Sequence, residues 1–246
     1  MMGKTPAIIK HLLIINIIFF IGTKFSGQIS NDFLALHYFE NDNFFISQML
    51  THMFMHGNEA HLLFNMFGLW MFGSTLANLW GANKFIFFYL SSGLGAAAIQ
   101  MLAYYINVES VTSDLLNYGV SKEVIAELFR SGSINTSVFD YVSRETLANA
   151  YNDYNSVMVG ASGAIYGILV AFTFMFPNSK LMLLFPPIPV KAKYLVPFII
   201  LGDVFFGFTS ASIGPIAHFA HLGGAITGFF MMWYWKKNQF NNNRWN

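Results

Sequence analysis

Six apolar stretches, at residues 7–23, 59–79, 84–106, 160–177, 194–210 and 216–235, run through this chain. A bilayer core takes about 17–25 helical residues to cross, so each stretch predicts one membrane helix. Composition agrees: 55% of the residues are hydrophobic and 10% charged, against roughly 25% charged in a soluble globule. The first stretch follows Lys4 and includes Lys10, the layout of a signal peptide. No small-x-small cleavage site occurs in Thr23-Lys24-Phe25-Ser26-Gly27, so it is read as a span.

Six spans put both termini on one side, and the basic residues say which. Lys4, Lys10, Lys84, Lys180, Lys191, Lys193, Lys236, Lys237 and Arg244 fall at the termini and in the 2/3 and 4/5 links, without an acidic neighbour. The other side carries Lys24, Lys122, Arg130 and Arg144 with every acidic residue except Asp203. Both termini are therefore expected in the cytoplasm. The fold expected is all-α, an integral membrane protein with a single domain over residues 1–246. Residues 25–58, rich in Phe, Tyr and Met, predict an outer segment lying in the membrane interface. Residues 107–159 predict a small helical insert on the same side, with a stripe at Val120, Val124 and Leu128 beside Ile125 and Phe129 and a second helix near Phe139 to Tyr151. The bland reading of the insert is a solvated decoration.

Net charge is +1, which offers no field for nucleic acid. Cysteine is absent, which excludes thiol chemistry and disulfides. Reactivity must come from the few polar groups within the spans, which are costly there and so point to function. His61, Ser162 and His221 all lie near the outer ends of inward-running helices. His61 and Asn65 share one helix face, as do Ser162 and Tyr166. Gly163 with Gly167, and Gly224 with Gly228, are small-xxx-small patterns that let two helices touch backbone to backbone. That approach would bring Ser162 to His221 as nucleophile and base. Ser162 opens its helix, where unpaired N–H groups favour an oxyanion, and His61 and Asn65 could add donors. Hydrolysis at this depth also predicts a polar cavity open to the outside.

Gly160-Ala161-Ser162-Gly163, His61-Leu62-Leu63-Phe64-Asn65 and Ala220-His221-Leu222-Gly223-Gly224, in this order on spans four, two and six, resemble the motifs of the rhomboid intramembrane serine proteases. The resemblance covers nearly the whole chain and implies a six-helix rhomboid bundle of the compact bacterial type, set in an inner membrane with its active site facing outward. It implies Ser162 as nucleophile and His221 as its base, with no acid completing a triad. It also implies His61 and Asn65 as oxyanion donors with the Ser162 N–H, and Tyr166 packed on the catalytic imidazole. The implied substrates are transmembrane proteins cut near the outer ends of their helices, and no cofactor or metal is implied. Two features depart from the family pattern. Ser47-Gln48 stands where many rhomboids carry Trp-Arg, and the 107–159 insert is longer than the compact core needs.

Two rivals share these residues. A rhomboid-like protein that binds membrane clients without cutting would not need both Ser162 and His221. A metal-handling reading draws on His52, His56 and His61, but no His-Glu-x-x-His motif is present. Asp203, the one acid within a span, reads as a buried acid hydrogen-bonded in the bundle, with a distant partnership to a histidine or a proton relay as alternatives. His218, one turn before His221 on the same face, reads as structural or supporting. Oligomeric state has no signature in the sequence.

Overall fold

The computed structural model describes residues 4–133, 136–182, 187–209 and 217–239. Residues 210 and 216, at the edges of two expected spans, and Arg244 lie outside the described residues. A helix occupies each apolar stretch: α1 (Ala7–Ser26), α4 (Glu59–Gly68) continuing through α5 (Ser74–Trp80), α6 (Ala82–Asn117), α9 (Ser162–Met175), α10 (Ala192–Gly207) and α11 (His218–Gln239). By length and apolarity Ala7–Ser26, Glu59–Trp80 and Ala82–Asn117 can each cross a membrane. The others run 14, 16 and 22 residues.

The bundle is built on α6, α9 and α11. Small residues allow it: a Cβ on Gly228 would sit 2.7 Å from the Gly167 Cα, and one on Gly224 would strike the Gly163 carbonyl. The two small-xxx-small patterns therefore face each other, as the sequence predicts. Around this contact Ile9, Leu69, Leu76, Phe85, Phe88, Tyr89, Ile168 and Met232 form a buried core to which α1 contributes directly. Between α4 and α5 the helix widens into one π turn, Leu69–Gly73. Gly73 lies there against Ile9 and Phe85, where an added Cβ would come within 3.1 Å of both.

The outer side differs from expectation in detail. Helix α6 does not stop at residue 106 but continues to Asn117, because Val108, Val111 and Leu115 extend its buried face. The insert therefore grows from a membrane helix. Helix α7 (Lys122–Ser131) buries Ile125, Leu128 and Phe129, while Val124 is 48% exposed, so the stripe is turned from the one expected. A 3-10 turn at Thr136–Asp140 precedes α8 (Arg144–Asn155). That helix starts later than expected because the Ser143 hydroxyl accepts the Thr146 N–H at 3.1 Å and caps it. Residues 25–58 contain α2 (Gln28–Leu34), α3 (Gln48–Thr51) and a 3-10 turn, His52–Phe54. Phe25, Ile29, Phe33 and Ile46 point outward, with Phe25 88% exposed, as suits a segment immersed in lipid headgroups. One element is not helical: β1 (Lys180–Met182) pairs antiparallel with β2 (Pro189–Lys191) in the 4/5 link. Three-residue strands are too short to leave an alternation in the sequence.

Candidate active site

Ser162 is the first residue of α9 and His221 lies one turn into α11. The Ser162 hydroxyl donates to His221 Nε2 at 2.9 Å. Helix α9 begins here because Gly160 takes φ +124, a conformation that side chains rarely adopt, and breaks the preceding chain. Gly160 N–H is held by the His52 carbonyl at 2.9 Å. A Cβ on Gly160 would lie 2.8 Å from His61 Nε2, so glycine is what admits the His61 ring to this side of Ser162. Tyr166, one turn into α9, stacks on the His221 ring with centroids 4.1 Å apart and planes 11° apart.

The donors expected around an oxyanion converge on the same place. Asn65 is 5% exposed and its amide nitrogen is buried without a hydrogen-bond partner. Leaving such a donor unpaired costs about 1–3 kcal/mol, a cost an incoming carbonyl oxygen would relieve. The His61 Nδ1 accepts the Gly57 N–H at 3.4 Å, which leaves Nε2 to carry the ring proton. Its backbone is fixed from below, for Asn58 caps α4 by accepting the His61 N–H at 2.8 Å. The Ser162 N–H, first in its helix, has no intrahelical acceptor. A cavity of about 10 Å³, roughly one water, lies beside Ser162 between His52, Ala96, Met158, Gly160 and Ala220. It is smaller and more apolar than the open polar cavity expected.

Several side chains in this site were missed by sequence reasoning or read differently. Asp203 on α10 reaches the far side of the imidazole: Nδ1 of His221 donates to Asp203 Oδ1 at 3.1 Å. His218 Nδ1 donates to the same oxygen at 2.6 Å. The geometry thus places an acid on the far side of the histidine, the partnership left open for Asp203, and His218 shares its carboxylate. Asp203, His218 and His221 offer ligand atoms within 4.8 Å of one another, the one such trio among the described residues. Gln100, buried on α6, accepts the Ala220 N–H at 3.0 Å and so fixes the start of α11. The histidines of the metal reading do not form a trio: His52 Nδ1 donates to the Gln48 carbonyl at 2.7 Å, while His56 lies edge-on to His61. Burial pushes the imidazoles of both His52 and His56 down to about 4, so both are neutral at pH 7.

The departure at Ser47-Gln48 also finds its compensation. Gln48 is fully buried, its amide donating to the carbonyls of Asp32 at 2.9 Å and Asn43 at 2.8 Å and accepting the His37 N–H at 3.2 Å. One neutral side chain thus ties three parts of the outer segment together. The insert completes the clamp. Leu36 and Met158 exchange backbone hydrogen bonds, Tyr154 Oη donates to the Glu40 carbonyl at 2.8 Å, and Arg130 pairs with Asp42 at 3.2 Å. Far from a solvated decoration, the insert shares a buried core with the outer segment through Leu36, Tyr38, Phe129 and Tyr154. Gln48→Ala would take the partner from three backbone groups, of which the His37 N–H is buried, and is expected to destabilise the outer segment by about 1–3 kcal/mol. Thermal unfolding in detergent and proteolysis of residues 25–58 would register the loss.

Comparison with known proteins agrees with this geometry. A family model described as Rhomboid domain matches residues 44–238. The chain is 28% identical over 186 residues to "Rhomboid protein 1, mitochondrial" of Saccharomyces cerevisiae, covering 75% of this chain and 40% of that protein. It is 25% identical over 233 residues to "Rhomboid protease GluP" of Bacillus subtilis, covering 93% of this chain and 34% of that one. It is 26% identical over 207 residues to human "Presenilin-associated rhomboid-like protein, mitochondrial", covering 78% and 40%. The chain thus spans well under half the length of these relatives. With the model match reaching through most of its membrane helices, the chain belongs to the rhomboid family of integral membrane proteins.

Proposed function

We propose that this chain is an intramembrane serine endopeptidase that cuts transmembrane protein substrates near the outer ends of their helices. The observation that carries the reading is the 2.9 Å hydrogen bond from Ser162 Oγ to His221 Nε2. It is supported by the protease named among the relatives. In the proposed step Ser162 Oγ attacks the scissile carbonyl while its proton passes to His221 Nε2, and the carbonyl oxygen takes the electron pair. The oxyanion meets the Ser162 N–H, the Asn65 amide and the His61 Nε2–H. His221 then gives its proton to the leaving amine, and water releases the acyl group. The chain acts as one six-span domain with 107–159 as an outer insert. Both termini lie in the cytoplasm of a bacterial cell, as the basic links argue.

The test is cleavage of a single-span substrate in membranes by the wild type, with Ser162→Ala beside it. Cleavage that survives in Ser162→Ala would contradict the reading. Asn65→Ala should lower kcat by about 10²–10³-fold with little change in KM, because its donor matters most once the oxyanion forms. A rise in KM at constant kcat would assign Asn65 to substrate binding instead.

A further inference from the structure

His221 can serve as a base only if its proton sits on Nδ1, leaving the Nε2 lone pair toward Ser162. Both tautomers of a free imidazole are populated, so something must hold Nδ1. The Asp203 carboxylate is placed for this, 3.1 Å from His221 Nδ1 on the side opposite Ser162. It comes from α10, a third helix, and is itself buried. Its own position is fixed from a second side: His218 donates to the same oxygen at 2.6 Å. His218 Nε2 is buried without a partner, so this ring has no polar contact of its own except the carboxylate.

We infer that Asp203 is the positioning residue of the catalytic histidine, making the site a Ser162–His221–Asp203 relay in which His218 holds the carboxylate and Tyr166 packs on the imidazole. The inference rests on the serine protease reading. When Ser162 gives up its proton, the imidazolium formed at His221 faces a carboxylate, which opposes the new charge without itself taking a proton. The same four side chains also tie α9, α10 and α11 together, so a structural role has to be separated from an orienting one.

Asp203→Asn keeps the shape and removes the charge. The expected result is a fall in kcat of about 10²–10⁴-fold, the upper figure being the loss for the equivalent change in a soluble triad. KM should stay within about threefold of wild type and unfolding in detergent should be unchanged. His218→Gln, which leaves Asp203 and His221 in contact, should cost far less than Asp203→Asn. Nitrogen NMR of ¹⁵N-histidine-labelled protein gives a readout that packing alone would not move: His221 should show a protonated Nδ1 and a bare Nε2 in the wild type and a mixture in Asp203→Asn. An unchanged tautomer, or a kcat within threefold of wild type, would overturn the inference. So would a wild type that loses activity in EDTA, since Asp203, His218 and His221 would then be holding a metal. The NMR measurement needs no substrate, so a wild type that cleaves nothing would defeat the protease reading and still leave this test decidable.

Discussion

Alanine at Ser162, alanine at His221 and the double replacement are expected to lower cleavage by the same amount, about 10³-fold or more. On the proposed mechanism neither group acts alone. Ser162 Oγ is a weak nucleophile until His221 Nε2 takes its proton, and the histidine has no other proton to remove from the reacting pair. Once one member is gone, removing the other has nothing left to subtract, so the effects of a catalytic unit do not add. Initial rates on one substrate for the two single variants and the double variant measure this directly. Losses that multiply would mean that Ser162 and His221 contribute independently. Ser162→Ala should unfold at the wild-type temperature, whereas the variants lacking His221 also give up the stack on Tyr166 and a bond to the buried Asp203 and should unfold lower.

Gly224→Ala is expected to disrupt the bundle, costing about 3 kcal/mol or more. The added methyl would land on the Gly163 carbonyl, which is backbone and cannot swing aside. To make room, α11 must draw away from α9, and the Ser162–His221 hydrogen bond parts with it. Activity and stability should therefore fall together in this variant, unlike Ser162→Ala. Gly202→Ala is the matched control: it also lies in an apolar helix, α10, but a Cβ there meets nothing within 4 Å. A Gly224→Ala protein as stable as Gly202→Ala would show that the α9–α11 contact is looser than drawn here.

Much of this could be read before the structure because membrane helices announce themselves through length and apolarity, and close helix contact through glycine spacing. The dyad followed from those two signals together. What escaped was set by contacts remote in sequence. Gln100 meets Ala220 across 120 residues, and Asp203, for which partnership with a histidine was only one alternative, meets His221 across 18. No local pattern records either pairing. Gln48 looked like a lost anchor because its charge was missing, whereas its amide satisfies three backbone groups that need no charge. The insert was underestimated for a similar reason. Its helices bury their stripes against the outer segment, and a short amphipathic helix does not reveal which surface it covers.

The most direct test of the account is to treat the wild type in membranes with a fluorophosphonate and map the adduct by mass spectrometry, with His221→Ala in parallel. The account predicts one adduct, on the peptide containing Ser162, that is lost or greatly slowed in His221→Ala. A wild type that cleaves substrate yet carries no adduct at Ser162, or carries it on another residue, would contradict the claim that Ser162 is the nucleophile.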